Sequence, residues 1–530
     1  MPSVEDWIAF FTNSLQSKKL LKADYGVDYY DFKGKQKSIL ELLKLHKNKF
    51  GNEDIIIVRA PGRINLMGRH VDHQNGLVSL IAIDKEIFIT ASIRKDFRLI
   101  AHNGDKVNFP ELTIDFSTLT SEICNNWLDV INNANFIQKY RLPKGKWDNY
   151  LKAAYLRLIN LFGLDKIYGA NICVSGNILI AAGLSSSSAL TVGIFKALSD
   201  LNKMNIKEKV MINLCAEAEW FVGTRGGSAD QVAIILAKNN LIAHARPFPI
   251  EILDWIEFPK NCELLIFNSQ VIADKSGAKK DIFNERILAY DIGFYLIKKK
   301  FPQFCSKLLY LSDINPENLN MNSSDLIKIL LDLPEYVDFN DLPNILGSKW
   351  DEFKRKYNFN ETPQIIPIRK VIAYGISECE RSKMFYQFIK KSDIISAGKL
   401  MNISHNGDRV IKYNYEKKSK PNLYNNETDD NKIKAYTESN MSIDQISGGY
   451  GCSIPEIDFI IDFSNHLEGV LGAQLSGAGM GGCAMLLVER EHSTKIKNNL
   501  SKLYENEFNR PCLIHKCKPV KGISIYHHIP

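Results

Sequence analysis

Arg69, His70, Asp72, His73, Gln74 and Asn75 crowd one short run between the apolar stretches Ile55–Val58 and Leu77–Ile83. A turn at Pro61 and Gly62 and the buried-looking run Ile64–Met67 lead into it. Apolar flanks of this kind predict two strands, with the polar string as the loop between them. Donors and acceptors this dense, converging on a rigid scaffold, suit a small hydroxylated ligand. The bland alternative is a solvated loop with chance histidines.

Three glycine-bearing turns add other chemistry. In the first, Gly183, Leu184, Ser185, Ser186, Ser187 and Ser188 follow a strand pattern and open a helix. Backbone N–H groups there can approach a phosphate, the helix N-terminus favours an anion, and a hydroxyl such as that of Ser187 can reach Mg2+. The GK[ST] ending of a Walker loop is missing. A plain N-cap or a flexible linker would also explain serines, but the apolar flanks argue against a linker. The second turn, Gly223–Gln231, ends a helix holding Glu217 and Glu219 and brings Asp230 to the start of another apolar helix. Asp230 reads either as an N-cap or as a general base for a substrate hydroxyl. The third turn, Leu475–Cys483, holds Gly477, Gly479, Gly481 and Gly482. Such a turn serves either backbone approach to a ligand or tight packing against a neighbour.

Bringing these segments together takes more than one compact core, and 530 residues lead us to expect two domains. Residues 1–50 read as helical, 51–93 as strands around the polar loop, and 97–116 as short strands. Helices are expected over 150–162, 207–222, 280–299 and 454–467, and strands over 171–180 and 263–267. Residues 469–488 read as a strand, a glycine loop and a strand, and Ala245–Ile256, with two prolines, reads as the domain linker. Residues 313–344 and the Lys/Asn-rich 406–449 read as polar surface insertions, the second partly disordered.

The net charge of +7 is small for this length, and no basic stripe is interleaved with aromatics, which argues against nucleic-acid binding. No apolar stretch is long enough to span a bilayer, and the N-terminus lacks signal-peptide character. The ten cysteines form no CxxC pair, and Cys173, Cys215, Cys262 and Cys483 sit in apolar surroundings. A reducing, cytoplasmic protein without a zinc site is expected.

In their order along the chain, the motifs resemble the GHMP kinase superfamily and, within it, the galactokinase family. Gly62–Gly76 is similar to the galactokinase signature GRxNLxGEHxDY, GLSSSSAL to the ATP-phosphate loop, and Gly477–Cys483 to the C-terminal GAGxGGC motif. Gly227-x-x-Asp230-Gln231 resembles the family's G-x-M-D-Q. Smaller echoes are Trp147–Tyr150, Asn268-Ser269, Ser404-His405 and Ser453–Asp458.

The resemblance implies a two-domain α+β / α/β GHMP kinase fold with the active site between the domains. Residues 1–250 would be a ribosomal-protein-S5-like α/β domain, and residues 251–530 a ferredoxin-like α+β domain carrying the insertions 313–344 and 406–449. It implies ATP-dependent phosphorylation of the C1 hydroxyl of a galactose-type sugar, with ATP and Mg2+ as cofactors. No nucleic-acid or membrane partner is expected, and a monomer is favoured. By matching positions, Asp230 would be the base and Arg63 the cation that keeps it ionised. Arg69, His70, Asp72 and Gly227 would meet the sugar. Gly183, Leu184, Ser185, Ser186, Ser187, Ser188, Gly477 and Gly479 would hold ATP phosphates.

Three departures stand out. Arg69 replaces the acid that galactokinases place before His70, and His73-Gln74 brings the string closer to the HxDHQ of plant galacturonokinases. A guanidinium there would welcome a sugar carboxylate, or else pair with a protein acid or face solvent. The Mg2+-binding glutamate falls between Glu219 and Glu217, and the tyrosine that family members use near the sugar has only Phe283 or Tyr290 as matches. The alternatives are therefore a galacturonokinase or another 1-kinase for an acidic sugar, and a non-catalytic sugar sensor. A kinase for a non-sugar alcohol fits less well.

Overall fold

A capping box between Ser3 and Asp6 starts α1 (Val4–Thr12), Asn13 caps α2 (Ser14–Tyr25) and Asp31 caps α3 (Phe32–Phe50). In this computed structural model the described residues are 1–119, 121–143, 145–180, 182–223, 226–272, 278–356, 362–414, 419–424 and 428–530. After the helices come β1 (Ile56–Met67) and β2 (Val78–Ile93), which pair antiparallel from Ile56↔Ala91 to Met67↔Ser79 with bulges at Pro61/Gly62 and Asn65/Met67. Both strands are buried along nearly their whole length because helices cover each face of the sheet. That double cover explains runs of continuous apolar residues where a half-exposed strand would alternate.

β3 (Arg98–Asn103), β4 (Leu112–Asp115) and β5 (Ala170–Gly176) extend the sheet on one side of β2. β6 (Leu241–Arg246) and β7 (Glu251–Glu257) join it at the start of β2. Helices α4 (Asp148–Phe162), α5 (Ser186–Leu201), α6 (Glu208–Val222) and α7 (Ala229–Leu236) pack on one face, and α1–α3 on the other. The expected linker is thus a hairpin: two prolines sit in the turn between β6 and β7, and β7 still belongs to the first sheet.

The second layer is a four-stranded antiparallel sheet of β8 (Cys262–Asn268), β9 (Val470–Ser476), β10 (Cys483–Glu489) and β11 (Leu513–Cys517), ordered β9–β10–β8–β11. Helices α8 (Ala278–Lys300), α9 (Arg369–Lys390), α10 (Ile394–Asp408), α11 (Pro455–Ser464) and α12 (Ser493–Phe508) complete it. The chain then returns to the first sheet, where β12 (Pro519–Val520) pairs with β2 and β13 (Ser524–Tyr526) with β1. Among the described residues that sheet has nine strands. The sheets therefore do not divide at 250/251, since residues 251–257 and 519–526 both complete the first one.

Residues 313–344 are not a surface insertion. Leu319, Leu326, Ile327, Leu330 and Leu342 are buried in a helical core shared with α8 and α9. Two of the asparagines that made this segment look polar are helix caps: Asn315 accepts from the Asn318 amide at 2.9 Å and Asn322 from that of Asp325 at 2.8 Å. In 406–449, the expected partial disorder falls in part on residues 415–418 and 425–427, which lie outside the described residues. Beyond them Ile433, Ile443 and Ile446 are buried in the same helical core.

Candidate active site

The loop 68–77 closes the β1–β2 hairpin. Gly68 has φ +91°, and a Cβ there would fall 2.2 Å from the Leu77 carbonyl oxygen, so only glycine closes this neck. Asp72–Gln74 form one 3-10 turn, and Asn75 beyond it accepts from the Phe248 amide at 2.9 Å. Asp72 lies against Gly227, where a Cβ would meet its Oδ2 at 2.2 Å. The second glycine turn is thereby seated directly on the polar loop.

Asp230 is the second residue of α7 and does not cap it; Ser228 holds the N-cap position. Its carboxylate is fixed sideways instead. Arg63 Nε pairs with Oδ1 at 2.6 Å, and Oδ2 accepts from the Ser185 hydroxyl and, at 3.5 Å, from that of Ser188. Arg63 also donates from Nη1 to the Gly183 carbonyl at 2.8 Å, and its amide to that of Leu184 at 3.2 Å. The Arg63 side chain is 7 % exposed and that of Asp230 28 %, so the guanidinium is enclosed while the carboxylate keeps an open edge.

Ser185 takes a left-handed conformation, φ +58° and ψ +45°, just before α5. Its hydroxyl is spent on Asp230, so no side chain caps α5 and the first-turn amides stay available. The third glycine turn packs onto this loop: a Cβ on Gly477 would lie 2.6 Å from Gly183 Cα. A Cβ on Gly479 would lie 2.1 Å from the Cys452 carbonyl oxygen. For Gly477 and Gly479 the close approach is to protein backbone, which is the packing reading.

Glu217 and Glu219 part ways on α6. Arg157 of α4 holds the Glu217 carboxylate from Nη2 and Nε, at 2.7 and 3.1 Å. Glu219 accepts from Gln231 Nε2 at 2.6 Å. Burial, with the Glu219 charge second, pushes the Tyr150 phenol up to about 12, while a hydrogen bond with Ser187 pulls it down. Ser187 is thus bonded to Tyr150, and the Glu219 charge is felt at the same phenol. A hydroxyl and a carboxylate are oxygens of the kind that a hard divalent cation takes, and Glu217 is already spent on Arg157.

Residues 149–238 match the description "GHMP kinases N terminal domain", residues 44–93 "Galactokinase galactose-binding signature" and residues 429–506 "GHMP kinases C terminal". Over these three segments the chain is similar to the galactokinases among the GHMP kinases. The galactokinase of Roseiflexus sp. is 24% identical over 487 residues, spanning 91% of this chain and 96% of its own. That of Thermotoga maritima is 25% identical over 471 residues, spanning 88% and 99%. The crystal structure of Lactococcus lactis galactokinase complexed with galactose shares the fold, with a TM-score of 0.63 at 19% identity, covering 92% of this chain and 99% of that one.

Against the galactokinase family's pattern, the departure at Arg69 has a clear structural answer. Arg69 is 2% exposed and pairs with a protein acid, Asp408, whose Oδ2 lies 2.9 Å from Nη2. It does not face solvent. His70, also buried, has Nε2 3.2 Å from Asp408 Oδ1, and its ring stacks on Tyr450 at 4.1 Å. Asp72 and Gly227 are the expected sugar residues that stay partly exposed. Of the two tyrosine matches, Tyr290 is wholly buried, 5.7 Å from the His73 ring, and Phe283 packs against the helical core.

Three of the smaller echoes engage protein partners. Ser269 donates from Oγ to the Gly482 carbonyl at 2.7 Å, Ser404 to Glu378 Oε1 at 3.0 Å, and His405 pairs with Asp458 at 3.0 Å. Sequence reading missed Asp408, Glu378 and Tyr450. The nearby Ser404-His405 pair was a signal for the first, and nothing local marked the other two.

Proposed function

We propose that this protein transfers the γ-phosphate of ATP to the C1 hydroxyl of galactose. One observation carries the reading: the Asp230 carboxylate is held by Arg63 on one oxygen and by the phosphate-loop Ser185 on the other, on a turn packed against Asp72. A group that accepts a proton from a sugar hydroxyl must sit between the sugar and the phosphates. Asp72 and the Gly227 backbone would take sugar hydroxyls, and the open amides at the start of α5, from Ser186 to Ser188, would take the phosphates.

Phosphoryl transfer asks little covalent chemistry of the protein, so alignment and charge do most of the work. The sugar hydroxyl donates to Asp230 and passes its proton there as its oxygen attacks the γ-phosphorus, while the bond from that phosphorus to the β–γ bridging oxygen breaks and ADP leaves with the electron pair. Arg63, enclosed and fixed to Gly183, keeps cationic charge beside both Asp230 and the phosphate loop. Ser187 and Glu219 would hold Mg2+, which, when bound, neutralises charge on the phosphates. Gly477 and Gly479 shape the loop from behind. Arg69 is already engaged by Asp408, which disfavours the acidic-sugar reading, and the intact Asp230 cluster disfavours a sensor.

ADP release should be measured with Mg·ATP and, in turn, galactose, galacturonate and galactosamine, with phosphorus NMR to fix the position of the new phosphate. Galactose is expected to give the highest kcat/KM and a 1-phosphate. A protein that ignores galactose but turns over galacturonate sinks the reading. Asp230→Asn should lower kcat about 1,000-fold without lowering Tm by more than a few degrees.

A further inference from the structure

The interior behind the polar loop holds a charge in an unfavourable place. Asp408 is fully buried and is the last residue of α10, where the helix field opposes an anion. Burial works against its charge, yet His70 and Arg69 outweigh it and hold its carboxyl below the usual range. A buried ion pair is no more stabilising than well-packed apolar groups of the same size. Stability alone is therefore a weak reason for this pair, and what it connects matters more.

It connects both halves of the site. Besides Asp408, the Arg69 guanidinium reaches Ser404 Oγ at 2.9 Å and the Leu475 carbonyl. The backbone of Gly68 and Arg69 is held in turn by Glu378 Oε1, at 3.1 Å from each amide. Leu475 lies at the end of β9, where the chain runs into Gly477, and Gly477 lies against Gly183 of the phosphate loop. A second route leaves α10 through its backbone. Gly407 accepts from the amides of Tyr450 and Gly451, at 2.7 and 3.0 Å, and Asp408 from that of Ser453 at 2.8 Å. Cys452 then accepts from the Met480 amide at 2.6 Å, inside the glycine turn.

We propose that Arg69 and Asp408 form a positioning strut that sets the glycine turn, and through it the phosphate loop, against the sugar loop. Neither residue touches a substrate under the sugar-kinase reading on which this rests. Both substrates nevertheless answer to the one buried contact.

Two variants test it. Arg69→Met with Asp408→Leu exchanges the pair for apolar groups, a replacement that folds tolerate. Arg69→Lys keeps a cation for Asp408, but one ammonium cannot also span Ser404 and Leu475. The readouts are Tm, the Kd of Mg·ATP without sugar by calorimetry, and the KM for galactose. Both variants should melt within a few degrees of wild type and bind Mg·ATP at least fivefold more weakly. The double variant should also raise the galactose KM at least fivefold. The strut is overturned if either folded variant binds Mg·ATP within twofold of wild type, and Arg69→Lys decides alone should the double variant not fold. A wild-type protein that leaves galactose untouched would fault the sugar reading only, since the Mg·ATP titration needs no sugar.

Discussion

At Gly227 a single missing methyl joins two motifs that are far apart in the chain, because a Cβ would collide with Asp72 Oδ2 at 2.2 Å. Gly227→Ala should push the two loops apart on the sugar side while leaving the phosphate loop in place. Steady-state kinetics should then show a galactose KM raised roughly tenfold with the ATP KM changed less than twofold; equal effects on both would refute this division. The residues that could be read directly from the sequence are those whose chemistry is local. Asp230 sits in a glycine turn at a helix start, and Arg63 follows a Pro-Gly turn in a strand. Arg69 could not be read the same way. Its partners Asp408, Ser404 and Leu475 come from the other half of the chain, and an isolated arginine in a polar string looks the same whether it faces a ligand or a buried acid.

The element at which phosphate chemistry and strain meet is the start of α5. Ser185 pays for its left-handed backbone because its hydroxyl must reach Asp230. Two substitutions separate these effects. Ser185→Ala keeps the strain and loses the hydrogen bond, whereas Ser185→Gly loses the bond but relieves a cost of about 1 kcal/mol. Both should lower kcat/KM roughly tenfold to a hundredfold, and calorimetry should find the glycine variant the more stable of the two. An alanine variant as stable as the glycine one would mean that the backbone is not strained there. Most elements of this first sheet were legible because strand and helix periods are strong signals in long apolar runs. The helical core over 313–344 was not, since its turns are short and Asn315 and Asn322 work as caps rather than as loop residues. The β6–β7 hairpin was misread for a related reason: prolines mark a turn, and only sheet pairing reveals whether a turn separates domains or strands.

For the whole molecule, the returning C-terminus matters most. β13 pairs with β1, Ser524 Oγ donates to Asp24 Oδ1 at 2.5 Å, and Arg59 Nη1 donates to the carbonyls of Lys521 and Gly522 at 3.0 Å each. The first sheet, closed by both chain ends, also buries two histidines. His46 of α3 meets Thr90 Oγ1 at 2.9 Å, and His244 of β6 stacks on Tyr386 at 4.3 Å. Burial lowers each imidazole from 6.5 to about 4. Between those values the unfolded chain binds protons that the folded one refuses, so stability rises with pH across this window and falls as pH drops from 6.5 towards 4. A displaced titration of that size is worth on the order of 3 kcal/mol when complete. Asp408 acts in a lower window: its stabilisation is lost only as pH falls below the ordinary aspartate range. Scanning calorimetry from pH 7.5 to 4.5 should therefore show Tm declining below pH 6.5. His244→Phe keeps the stack on Tyr386 and removes the titration, so its Tm should match wild type near pH 7.5 and fall less steeply on acidification. Parallel curves for the two proteins would mean that the proton penalty at this sheet is carried elsewhere.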